Sequence, residues 1–118
     1  MERILKSTFS YKGYKCAIVE INDNHDLGFF QFSYPNKYYC GYVLVPRYHS
    51  YYEKDYNDIE INCHGGLTYS SHSLLETEYP GWWIGFDCAH GGDTIEECDL
   101  EYCINECRNI VDQIREME

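Results

Sequence analysis

The stretch 99–114, DLEYCINECRNIVDQI, decides the fold. Its apolar residues are Leu100, Cys103, Ile104, Cys107, Ile110, Val111 and Ile114, separated mostly by steps of three and four. That spacing returns to the same side once per helical turn, so these side chains share one face of a helix. Glu101, Asn105, Glu106, Arg108, Asn109, Asp112 and Gln113 fill the outward side. Asp99 is the expected N-cap, because its carboxylate is placed to accept from an orphan amide of the first turn. A helix with one apolar face needs a second layer to cover it.

Upstream the period falls to two, which supplies that layer. Residues 14–21 (YKCAIVEI) read as a strand, broken by Asn22, Asp23 and Asn24. Residues 29–32 (FFQF) form a short aromatic strand candidate before Pro35. Residues 38–45 (YYCGYVLV) make another strand, ended by Pro46. Ile59 and Ile61 alternate with Glu60 and Asn62, the mark of a half-buried strand. Pairing is expected to resume at 67–69, and 82–86 (WWIGF) reads as a buried strand. Residues 46–58 and 70–80 are expected loops. The fold class is therefore α+β: an antiparallel sheet with one long C-terminal helix packed on it, in a single domain over residues 1–118.

Charge narrows the partners. Twenty acidic residues face nine basic ones, a formal charge of −11 at pH 7. Such a chain repels nucleic-acid phosphates and anionic membranes, whose capture depends on Lys and Arg. It is attracted to basic protein surfaces, and encounter with them is accelerated. No leader-like apolar run follows the opening residues, and no run approaches the ~20 apolar residues that span a bilayer. Seven cysteines, an odd number, without a secretion signal point to thiols in a reducing compartment, so the expected location is the cytoplasm. The 13 tyrosines suit strands and contact surfaces.

Two short blocks are dense in metal-ligand types: CHGG at 63–66 and DCAHGGD at 87–93. Each follows an expected strand and runs into glycines, which let a backbone turn tightly around a small ion. Zinc takes thiolate sulfur and imidazole nitrogen, in structural sites almost always four ligands in a tetrahedron. Cys88 and His90 are two apart and point to one side of an extended chain, and His64 sits at the matching end of another strand. His49 is the first choice for the fourth ligand, with Asp87, Asp93 and Cys63 as alternates. Cys98, Cys103 and Cys107 are read as core thiols, Cys103 and Cys107 lying on the apolar face of the helix. Trp82 and Trp83, adjacent in a strand, face opposite ways.

No catalytic residue is assigned. The His-Gly-Gly run lacks the G-x-S-x-G elbow that accompanies it in esterases. A Cys88 nucleophile with a histidine base is conceivable, but the same pair serves zinc equally well. A catalytic zinc with an open position, served by Asp87 or Asp93 as base, is the enzymatic alternative.

The blocks HGGLTYS (64–70) and WWIGFDCAHGGD (82–93), with the preceding VPRYHSYYEKDYNDI (45–59) as a middle block, resemble a family of small bacteriophage-encoded proteins, most of unknown function. The resemblance covers about half the chain. It singles out His49, His64, Asp87, Cys88, His90 and Asp93. In that family a proline typically follows the His49 position, where this chain has Ser50. A small acidic phage protein is similar in type to anti-CRISPR inhibitors, which include a zinc-bearing member from streptococcal phages. The resemblance implies a zinc-binding inhibitor acting in the host-cell cytosol on a basic nucleic-acid-binding surface, such as the channel of a type II RNA-guided nuclease. The alternatives are a metal-dependent hydrolase of a small nucleotide or peptide, and a sponge for a nucleotide signal. The sponge suffers from a shortage of cations: beyond residue 40 there are only Arg47, Lys54, Arg108 and Arg115.

Overall fold

A computed structural model of the chain describes residues 1–22, 36–74 and 77–118. The candidate strand at 29–32 lies outside the described residues. Five strands pair in one antiparallel sheet: β1 Glu2–Tyr11, β2 Tyr14–Asn22, β3 Lys37–Val45, β4 Tyr69–Ser71 and β5 Trp82–Asp87, in the spatial order β1-β2-β3-β5-β4. One helix, α1 Leu100–Glu116, follows. The fold is α+β, as the change of period implied. No helix among the described residues is long and apolar enough to cross a membrane.

The period-two pattern of β2 sorts its side chains onto two faces. Cys16 and Ile18 join Val43, Val45, Ile84 and Phe86 beneath the helix, while Ala17, Val19 and Ile21 join Cys40, Tyr42 and Trp83 on the other face. Burial on both faces explains the nearly unbroken apolar run. The helix presents Cys103, Cys107, Ile110, Val111 and Ile114 to the first group, all at 0% exposure. Full burial of each aliphatic side chain there is worth about 1.5–3 kcal/mol. Asp99 caps the helix as expected, accepting from the Tyr102 amide at 2.8 Å. Trp82 and Trp83 do face opposite ways. Trp83 is fully buried, and half-buried Trp82 packs on the helix side and donates its Nε1 to the Lys54 carbonyl at 3.0 Å.

Strand β1 has no counterpart in the sequence reading. It is an edge strand, only half-buried on its inner side and interrupted by a bulge between Leu5 and Ser7, so its alternation is weak. The two-residue turn joining it to β2, Lys12 at φ 51° and Gly13 at φ 86°, has the left-handed conformations that hairpin turns demand. Tyr69–Ser71 pairs with β5, so the expected loop at 70–80 begins two residues late.

The strand expected at 59–63 does not form. Ile59 and Ile61 are buried while Glu60 and Asn62 are exposed, so the side chains do alternate. The backbone, however, is paired with side chains of the helix rather than with a neighbouring strand. Asn62 N–H donates to Gln113 Oε1 at 2.9 Å, and the Asn62 carbonyl accepts from Gln113 Nε2 at 2.8 Å and Asn109 Nδ2 at 2.9 Å. Periodicity reports which side chains are buried; it does not report what satisfies the peptide groups.

Candidate metal centre

The segment clasped by the helix leads directly to His64. Its backbone N–H donates to Glu106 Oε2 at 2.6 Å, and its Nδ1 lies 2.8 Å from the Tyr102 hydroxyl. Glu106 and Tyr102 are one helical turn apart, so a single stripe of α1 orients both the backbone and the ring of His64. The Nε2 edge of the ring then points at the ends of β5 and α1. His64 Nε2 is 3.8 Å from Cys98 Sγ, and Cys88 Sγ is within the same group: one ligand atom from each of His64, Cys88 and Cys98 lies within 4.8 Å of the others. Cys88 follows the last residue of β5, where its N–H donates to the Tyr39 carbonyl at 3.1 Å, and Cys98 immediately precedes the helix cap. Three separate segments thus converge on one point.

The spacing suits a cation. Around a tetrahedral zinc, bonds of about 2.0–2.3 Å place sulfur about 3.6 Å from nitrogen and about 3.8 Å from another sulfur. The His64–Cys98 separation is close to the first value. Cys103 Sγ stands 3.7 Å from Cys88 Sγ, close to the second. Cys103 adjoins the group from the core side and is fully buried. From the solvent side Asp93 adjoins it, with Oδ2 2.9 Å from His64 Nε2 and accepting the His90 N–H at 3.0 Å. Without an ion the Cys88 and Cys98 thiols hold their protons. The hydrogen bond shared with Cys103, then burial, pushes the Cys88 thiol far up, and burial pushes Cys98 up to about 12. Burial works against ionisation of Asp93, but the His64 ring and the His90 amide outweigh it, and its pKa lies below the usual carboxylate value.

His90, expected as a ligand, lies beside the group rather than in it. Its ring centroid is 5.8 Å from that of His64, and its Nε2 is 3.5 Å from Asp87 Oδ1. That nitrogen is buried and makes no hydrogen bond, the one such side-chain atom among the described residues, which fits a group held for a cation or a water. Gly65, at φ 66°, makes room for it: a Cβ there would collide with the His90 imidazole. This is why the histidine at 64 is followed by glycine.

His49 is not at the centre. Its Nε2 bonds the Ile114 carbonyl at 2.8 Å, and its Nδ1 accepts the Tyr51 N–H at 3.0 Å. Ile114 is eleven residues beyond Cys103 along α1, about 16 Å away. Both ring nitrogens of His49 are committed at the far end of the helix, so the expected fourth ligand is displaced by geometry. Asp87 takes the Thr68 hydroxyl at 2.8 Å and the Ala89 N–H at 3.0 Å, and Cys63, half-buried, sits beside Glu106; neither belongs to the group.

Cys98 is buried in the core as expected of the second cysteine group, and it also stands in the group with His64 and Cys88. It precedes the helix and so falls off the apolar stripe, and nine residues separate it from Cys88, too many for a knuckle spacing to reveal. Its position next to an N-cap was the available signal. Cys107 is a core thiol as expected, bonded to the Tyr42 carbonyl at 3.8 Å.

Carboxylates crowd this end of the molecule. Between residues 87 and 106 stand Asp87, Asp93, Glu96, Glu97, Asp99, Glu101 and Glu106, with no Lys or Arg. A cleft of about 230 Å³, lined by His64, Gly92, Asp93, Thr94, Glu97, Cys98 and Tyr102, opens onto the group. Comparison of the chain with protein-family models, with curated proteins and with solved structures finds no match.

Proposed function

We propose that the protein is a zinc-binding domain in which the ion is structural, and that its acidic surface docks on a basic protein surface. The observation that carries the metal is the convergence of His64, Cys88 and Cys98 within 4.8 Å of one another from three segments of chain. Two thiolates and an imidazole favour zinc over hard cations. A fourth ligand would have to come from outside this group, and Cys103, at 3.7 Å from Cys88, is the thiol to test for it. An ion so held staples the loop before β4, the end of β5 and the start of α1 together, which matters in a domain of 118 residues. In a reducing cytosol its thiols remain available for the metal.

The partner follows from charge. The carboxylates around the centre make a single-sign field that steers a Lys- and Arg-lined surface toward it. With the resemblance to phage proteins, this makes the nucleic-acid channel of a type II CRISPR nuclease the first partner to test. Elemental analysis of protein purified without added metal should give one zinc per chain. Co-purification with the nuclease at low salt, followed by a DNA-loading assay, should show a complex that excludes DNA. Metal-free protein with an unaltered melting curve after chelation rejects the first half; absence of a complex at low salt rejects the second.

A second reading, a metal-dependent hydrolase, is favoured by the cleft that opens beside His64 with Asp93 on its wall. It requires a centre with two thiolates and an open position. Cobalt substitution separates the readings, because a third thiolate strengthens the sulfur-to-metal charge-transfer band and serine at 103 then weakens it.

A further inference from the structure

The opposite end of the sheet holds a larger cleft, of about 530 Å³, within the range of small-molecule sites, about 300–1,000 Å³. It forms where β3 leaves the sheet at Val45, Pro46 and Arg47, against the β1–β2 turn at Gly13, the start of β2 at Lys15 and the loop residues Tyr52 and His72. No Asp or Glu lines it, although the chain carries twenty. Two of the nine cationic residues, Lys15 and Arg47, do. The fold therefore gathers scarce positive charge at one mostly apolar cleft and keeps carboxylates off its walls. In a molecule of formal charge −11 such a local reversal is what an anionic ligand would need.

We propose that this cleft binds a planar, largely apolar ligand carrying one anionic group, of the nucleoside monophosphate class. Arg47 is exposed and makes no hydrogen bond or ion pair among the described residues, so its fork of donors is available for a phosphate or carboxylate. Lys15 also lines the cleft, with its Nζ 4.1 Å above the ring of Tyr79, which lies outside the lining. Tyr52, Leu44 and Pro46 offer apolar walls for a flat ring. His72 is fixed edge-on between Tyr52, at 5.8 Å, and Trp82, at 4.9 Å, and its Nε2 meets Glu53 at 2.6 Å. Two carboxylates meet residues of its lining from outside, Glu53 through His72 and Glu118 through the Tyr14 hydroxyl. The shortage of cations that weighs against a nucleotide reading of the sequence is answered by placement. The site is independent of the metal centre, which lies at the other end of β5.

The test is calorimetric titration of the intact protein at low ionic strength with adenosine monophosphate, and separately with adenosine and inorganic phosphate. Saturable binding of one nucleotide per chain is expected, at least about tenfold tighter than either half alone. Arg47→Glu should weaken it by about tenfold or more, whereas Arg108→Glu, an equal charge change on the helix, should not. Melting curves of both variants verify folding, and Lys15→Glu repeats the comparison should Arg47→Glu fold poorly. No saturable heat with the nucleotide overturns the proposal. So does equal weakening by the variants at 47 and 108, which would reveal charge alone, or phosphate binding as tightly as the nucleotide.

Discussion

The backbone amide of His64 donates to the carboxylate of Glu106 at 2.6 Å, across 42 residues of chain. With Tyr102 on the same histidine's Nδ1, the helix sets the position of a metal-ligand candidate that it does not itself carry. Groups that orient a ligand typically contribute 10–100-fold to metal affinity. Glu106→Gln keeps the size and an acceptor but loses the charge, and is expected to weaken zinc binding by about tenfold, with Glu106→Ala weaker still. Competition against a chromophoric chelator measures this; equal affinity in all three proteins would show that Glu106 serves only the loop.

The cysteines of the C-terminal region divide by role. Cys98→Ser and Cys88→Ser should abolish stoichiometric zinc, because a hydroxyl is a poor substitute for a thiolate. Cys107→Ser should retain it. Cys107 is buried against the Tyr42 carbonyl, so placing a hydroxyl there should instead cost about 1–3 kcal/mol of stability. Zinc content by atomic emission beside chemical denaturation separates the two effects, and loss of zinc from the 107 variant with its fold intact would contradict this division.

His49 tests the opposite expectation. Because its Nδ1 accepts the Tyr51 amide, its Nε2 carries the proton and donates to the Ile114 carbonyl. His49→Ala removes both bonds from a buried site and should destabilise the protein by about 1–3 kcal/mol. Zinc stoichiometry should remain unchanged in the folded fraction.

Alkali provides a further check on the metal-free protein. Burial pushes Cys40 and Cys98 up to about 12 from the 9.0 of a free thiol, and Cys63 likewise under burial and the Glu106 charge. Between those values the unfolded chain has released protons that the folded chain still holds. The unfolded state binds fewer, so stability must fall as pH rises through that window. The melting temperature of chelated protein should therefore drop steadily from pH 9 upward. Zinc affinity has the other sign: protons compete for the thiolates, so it should weaken as pH falls below neutrality. A flat alkaline profile would show that these thiols are not buried as described.

Much of this architecture is legible along the chain. The three-and-four spacing from Leu100 to Ile114 defines the helix, and the apolar runs at 14–21, 38–45 and 82–86 define the central strands. Edge strand β1 is not, because a half-buried strand with a bulge leaves little alternation to see. Residues 59–62 mislead in a different way, since side chains of Asn109 and Gln113 substitute for a strand partner and nothing local reveals it. At the centre, His64 and Cys88 announce themselves by their glycine-flanked blocks. Cys98 depends on where a helix begins in space, and His49 is removed by a distance along that helix which only packing determines.

The two ends of α1 are fastened by unlike means. At the start stand Cys98 and Cys103 with the imidazole of His64; at the finish, the Ile114 carbonyl is gripped by His49, and the Glu118 carboxylate by the Tyr14 hydroxyl. Stripping the ion should therefore unzip the helix from one side only. In deuterium exchange, amides of the first two turns would lose protection on chelation while those near Ile110 and Ile114 kept it, turning a uniformly rigid rod into a hinged lever anchored at its tail.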